Sequence, residues 1–151
     1  MNFDPITPDL FIGTTPSMDD YSRLHELGVR LVINMRFEHP PFPDPHPAPI
    51  HLLWLRTIDS PFFPIPIRKL IRGAQTALET IRAGGKVYTH CAGGRHRGVA
   101  MGTAVLIAQG YHPQDAMELI AERRSVADPF AFYIRPRILK FAQAWDAAHR
   151  A

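Results

Sequence analysis

The sequence predicts an α/β fold: a single domain with a central, largely parallel sheet flanked by helices. Short apolar runs bounded by turn or charged residues alternate with longer segments whose apolar residues recur every three or four positions. Strands that alternate with helices in this way place a parallel sheet between helical layers. A chain of 151 residues that is 46% hydrophobic is long enough for one substantial core and too short for two ordinary ones, so residues 1–151 are expected to form one unit.

The strand candidates are Phe11-Ile12-Gly13, Leu31-Val32-Ile33-Asn34, His51-Leu52-Leu53-Trp54-Leu55 and Lys86-Val87-Tyr88-Thr89. Between the second and third lies Pro40-Pro41-Phe42-Pro43-Asp44-Pro45-His46-Pro47-Ala48-Pro49, whose prolines remove donors and hold the backbone extended, so a stiff loop is expected. Ile67, Leu70, Ile71, Ala74, Ala77, Leu78 and Ile81 form one apolar stripe on a helix that ends at Gly84-Gly85. Val99 to Ala108 is apolar on nearly every face, the pattern of a helix buried in the middle of the fold. Pro113 suits the first position of a further helix reaching to about Arg124. Ile134, Ile138, Phe141, Ala142 and Trp145 set the stripe of a last one.

Composition narrows the function. The single cysteine excludes an intrachain disulfide, which makes any role for it a thiol role and a reducing, cytoplasmic setting the default expectation. No secretory leader is visible at Met-Asn-Phe-Asp-Pro, and the longest apolar run is about half of what spans a bilayer, so no membrane span is expected. A net charge of +3 is too small an excess to argue for nucleic acid. The eight histidines include His39, His46, His51, His90 and His96, but no close pair stands at helical metal-ligand spacing. No metal site and no cofactor are expected.

The chemistry concentrates in His90-Cys91-Ala92-Gly93-Gly94-Arg95-His96-Arg97-Gly98. A strand running into a glycine-containing turn and then a helix points backbone N–H groups and a helix N-terminus at one place, which suits an anion. Gly93 and Gly94 are expected to take positive φ and let the backbone approach a phosphate. Arg97 can return across the loop and grip two phosphate oxygens with its planar fork. The positive surroundings would favour Cys91 as a thiolate, a nucleophile able to form a phosphocysteine without a metal. Ala92, Gly93, Gly94, Arg95, His96 and Gly98 are thus the candidate substrate-binding positions.

The spacing of His90, Cys91, Gly94 and Arg97 resembles the signature of the protein tyrosine and dual-specificity phosphatase superfamily: His-Cys, five residues with glycine third, then Arg. Ile6 to Gly13, Leu27 to Asn34 and Gly85 to Cys91 also look like stretches of its compact dual-specificity members. The resemblance implies a phosphatase of that fold acting on a phosphorylated protein or a small phosphate ester. It also implies an aspartate about thirty residues before the cysteine as general acid and base. Asp59, in Thr57-Ile58-Asp59-Ser60-Pro61, has that spacing, with Asp44 as its competitor. The resemblance gives His90 a supporting role, through ring hydrogen bonds that orient the loop.

Two features depart from the common pattern. Arg95 and His96 are basic where small or neutral residues are usual, which resembles phosphoinositide phosphatases. Gly98 replaces the usual serine or threonine, whose hydroxyl bonds the cysteine sulfur, so turnover is expected to be handicapped and Gly98→Ser to relieve it. The alternatives to a protein phosphatase are a phosphoinositide phosphatase, a rhodanese-like sulfurtransferase, or an inactive phosphate-binding relative.

Overall fold

The structure, a computed structural model, describes residues 1–150. At its centre is strand β5 (Lys86–His90), which pairs in parallel with β2 (Leu10–Gly13) on one side and β3 (Val29–Arg36) on the other. Strand β4 (His51–Thr57) adds in parallel to β3, and β1 (Phe3–Thr7) closes the opposite edge antiparallel to β2. The order is therefore β1-β2-β5-β3-β4. The helices are α1 (Tyr21–Leu27), α2 (Ile67–Arg82), α3 (Arg97–Ala108), α4 (Pro113–Arg123) and α5 (Arg135–Ala148).

Alternation along the strands splits the core in two. Ile12, Leu31, Ile33 and Val87 face α2–α5, while Phe11, Val32 and Tyr88 face Tyr21 and Leu24 of α1. Helix α3 is buried from Arg97 to Ile107, as its all-round apolar sequence requires. It lies against the strands, with the other long helices packed around it.

All four predicted strands and all four predicted helices are present, with ends moved by up to a few residues. Besides a single 3-10 turn at Met18–Asp20, two elements escaped prediction. Strand β1 contains Pro5, which a strand tolerates because β1 is an edge. Helix α1 is only seven residues long and ends at Gly28 in the left-handed conformation, so it offers almost no periodicity to detect. The segment 40–49 forms neither strand nor helix. Its stiffness has a further source beyond proline: Tyr21 donates its hydroxyl to the carbonyl of Phe42.

Candidate active site

The loops after β2, β3, β4 and β5 gather at the carboxyl ends of the parallel strands, where open α/β sheets bind ligands. Strand β5 delivers Cys91 to this edge, 4% exposed, and α3 begins six residues later with Arg97. Gly94 takes φ 62°, and a Cβ there would lie 2.6 Å from Arg124 and 2.8 Å from the carbonyl oxygen of Gly13. Glycine is required at that position for both reasons. Gly93, by contrast, has no positive φ, and a Cβ there would make only ordinary contact with the Arg95 side chain, at 3.6 Å, which corrects the expectation for it.

Arg124 holds the loop from below. It is 1% exposed, and it donates Nε to the carbonyl of Gly94 at 2.8 Å and Nη2 to that of Gly93 at 3.2 Å. Its Nη1 reaches Asp4 at 2.9 Å and the side-chain oxygen of Asn2 at 3.0 Å. Burying a guanidinium needs this many partners, since an unpaired charge inside a fold is costly. The sequence showed only an arginine at a helix end.

Arg97 is 4% exposed and is oriented by groups from the loop after β3 and from the end of β4. Its Nη1 donates to Glu38 Oε1 at 2.8 Å and to the carbonyl of Thr57 at 2.9 Å, and its Nη2 to Glu38 Oε2 at 3.1 Å. Nε, buried, has no hydrogen-bond partner among the described residues. Burial works against the Arg97 charge, but the Glu38 hydrogen bonds and the nearby Cys91 and Asp59 raise its pKa overall. In return, the Arg97 hydrogen bonds hold the Glu38 carboxyl down at about 2 against partial desolvation. Glu38 is placed by Asn34, whose side-chain amide donates to the carbonyl of His39, and by the Phe37 N–H donating to Thr57. Nothing in the sequence pointed to Glu38.

Asp59 stands on the loop after β4, facing the cysteine loop. Its Oδ2 lies 3.3 Å from His96 Nδ1, and its Oδ1 accepts from Tyr133 at 2.6 Å. Tyr133 is also 3.2 Å from His96 Nδ1, so the three side chains form one cluster. His96 is thereby engaged by the acid loop, with Asp128 4.0 Å from its other nitrogen. Arg95 is exposed, and its Nε reaches the carbonyl of Val126 at 3.4 Å. Asp44 is elsewhere: its side chain is shielded beside α1 and bonded by His25, His46 and two backbone N–H groups. Those backbone and imidazole bonds outweigh desolvation and hold it far below the usual carboxylate range.

His90 is 1% exposed, and desolvation pushes its pKa down to about 3 although the Cys91 backbone favours the charged ring. Its Nδ1 has no hydrogen-bond partner among the described residues, so the ring bonds expected to orient the loop are not made from that atom. Gly98 also differs from expectation. A Cβ on it would lie 2.8 Å from the carbonyl carbon of His90, 2.9 Å from its Cα and 3.0 Å from the Cys91 nitrogen, all backbone. The helix meets the strand end too closely for a side chain, so Gly98 is a packing requirement here and Gly98→Ser has no room to help.

The acid loop carries exposed aromatics. Phe62 is 86% exposed and Phe63 57%, and with Phe37, Thr57 and Ile58 they line a depression of about 270 Å³. Phe132, 77% exposed, stands next to Tyr133 on the other side of Asp59.

No family model matches the chain. It is 28% identical over 129 residues to human dual specificity phosphatase 28, covering 82% of this chain and 69% of that protein. A crystal structure of a human DUSP28 variant superposes with a TM-score of 0.86 at 24% identity, over 98% of this chain and 99% of that one. PTPMT1 in complex with PI(5)P superposes with a TM-score of 0.78 at 27% identity, over 97% of this chain and 95% of that one. A signature loop at the end of the central strand and a buried arginine behind it are set in a fold shared with dual-specificity phosphatases, to which the chain is similar in sequence as well as in structure.

Proposed function

We propose that the chain hydrolyses phosphate monoesters through a phosphocysteine on Cys91. The observation that carries this reading is the convergence of four loops: the cysteine loop, the Glu38 that aims Arg97, the Asp59 loop, and the Tyr133 segment that fastens Asp59 to it. The loop amides, the start of α3 and the Arg97 fork bind the phosphoryl oxygens. The Cys91 sulfur attacks phosphorus as the ester oxygen departs and takes a proton from Asp59. Water then attacks phosphorus, gives a proton to Asp59, and the sulfur leaves. Every bond formed and broken is accounted for without a metal.

Sulfur transfer, the rhodanese-like alternative, gives Asp59 and its two fastenings no task. Loss of activity is disfavoured by the full set of Cys91, Arg97 and Asp59. A lipid phosphomonoester is the second substrate class, because exposed Phe62, Phe63 and Phe132 offer an apolar rim beside the acid. The deciding experiment is a panel of phosphotyrosine, phosphoserine or phosphothreonine, phosphoinositide and nucleotide-end phosphates, at mildly acidic and neutral pH with reductant and chelator. Release of phosphate by the native chain and a trapped phosphoenzyme that Cys91→Ser cannot form support the reading. Turnover that persists in Cys91→Ser removes it.

A further inference from the structure

We propose that His25, Asp44 and His46 form a binding site for a borderline divalent metal ion, zinc foremost, which clips the proline-rich loop to α1. The expectation of no metal rested on helical spacing within the sequence. Folding brings together residues that such spacing does not connect: His25 on α1, and Asp44 and His46 on the loop.

The geometry is that of a carboxylate flanked by two imidazoles. His25 Nε2 lies 2.7 Å from Asp44 Oδ2, and His46 Nδ1 lies 2.6 Å from Oδ1. One ligand atom from each residue falls within 4.8 Å of the others, a span that one ion with bonds of about 2.0–2.2 Å bridges after a small inward turn of the rings. The supports a metal ligand needs are also present. The N–H groups of Ile50 and His46 donate to the two oxygens of Asp44, and Ser22 Oγ is 3.3 Å from His46 Nε2, the nitrogen facing away from the carboxylate.

Charge argues the same way. The Asp44 side chain is 0% exposed, and its ion-pair partners among the described residues are the two imidazoles, with no lysine or arginine. A dication would supply that buried carboxylate with a fixed counter-charge, which no lysine or arginine among the described residues provides. Two imidazoles and one carboxylate select a borderline metal such as zinc over magnesium or calcium, which favour all-oxygen sites. The rings are partly exposed, at 22% and 32%, which leaves an open side for the ion to enter and for water to complete its coordination. The clipped loop begins just after Glu38, so the ion would steady the segment that aims Arg97.

The test uses the full chain carrying Cys91→Ser, so that the active-site thiol cannot bind the ion, and is independent of whether the phosphatase reading holds. After chelator treatment and its removal, titration with Zn2+ alone should show one ion per chain with a Kd below about 10 µM. It should also raise the melting temperature. His25→Asn and His46→Asn should each weaken binding at least tenfold, and replacement of the exposed His51 at the start of β4, His51→Asn, should not. Ring-nitrogen NMR needs no further variant: of the eight histidines, only two imidazoles should shift on titration. Failure to bind, binding that survives both His25→Asn and His46→Asn, or shifts spread over other histidines would each overturn the proposal and leave the cluster as a hydrogen-bonded clamp.

Discussion

Tyr133 donates its phenolic hydrogen to Asp59 across 2.6 Å, joining the segment ahead of α5 to the loop after β4. Burial first, and then Asp59, push the Tyr133 pKa up to about 12, so the phenol keeps its proton throughout the working range. Asp59 Oδ1 is thus held by the phenol, while Oδ2 lies 3.3 Å from His96 Nδ1. Tyr133→Phe is expected to lower kcat about tenfold for alkyl phosphates, equivalent to roughly 1.4 kcal/mol, and less for activated aryl phosphates. Steady-state kinetics on both ester classes checks this, and equal losses would reduce Tyr133 to packing.

Asp59→Asn removes the proton itself. Esters with poor leaving groups should slow by about a hundredfold or more, and esters of acidic phenols by much less. Rate constants plotted against leaving-group pKa give the answer, a steeper slope in the variant being the expected result.

Glu38→Gln keeps the shape of the Arg97 partner but removes its charge. A looser fork should cut kcat/KM by about tenfold or more. The stability consequence has a defined sign. The folded Glu38 pKa, about 2, is below its ordinary 4.5, so this contribution is present above pH 4.5 and lost as the pH falls through about 2. Because the Glu38 side chain is 48% exposed, the contribution is modest. Melting curves of the two proteins should differ at neutral pH and converge near the bottom of that window.

His90 acts in a higher window. Its folded pKa of about 3 is below the ordinary 6.5, so the unfolded chain takes up a proton that the folded one refuses. Stability should decline as the pH drops below 6.5 and continue to decline towards 3. Denaturant titrations at pH 7 and pH 5 should show the loss in native protein and in Glu38→Gln alike.

Gly98→Ser is expected to destabilise by about 1–3 kcal/mol, because its Cβ would meet three backbone atoms of the strand end. No gain in kcat accompanies it. Urea unfolding together with steady-state rates checks both halves, and a faster enzyme of native stability would show that the strand end yields.

The placing of Cys91 and Arg97 at one strand end and helix start was legible because strand, glycine turn and helix stand side by side in contiguous sequence. Asp59 was singled out by spacing alone, and the structure sets it beside His96 of the cysteine loop and Asp44 beside His25 and His46. Glu38, Arg124 and Tyr133 were invisible for a common reason. Each meets its partner across a separation of 59, 30 or 74 residues, and each is an ordinary residue in an ordinary local pattern. Gly98 was misread because a close approach between helix and strand leaves no trace in composition. The sheet was easier, since a buried parallel strand announces itself by continuous apolar residues, whereas an edge strand with a proline and a seven-residue helix do not.

Arg124 spans from the carbonyls of Gly93 and Gly94 to the side chains of Asn2 and Asp4. Asn2 and Asp4 are therefore part of the mould in which the cysteine loop is cast. Replacing Asn2 and Asp4 by alanine would strip two of the arginine's anchors and leave a buried cation short of partners. The loop would soften while every residue that handles phosphate stayed in place. The phosphate-handling loop thus depends on two side chains, Asn2 and Asp4, that lie far from it in sequence and touch no part of it directly except through Arg124.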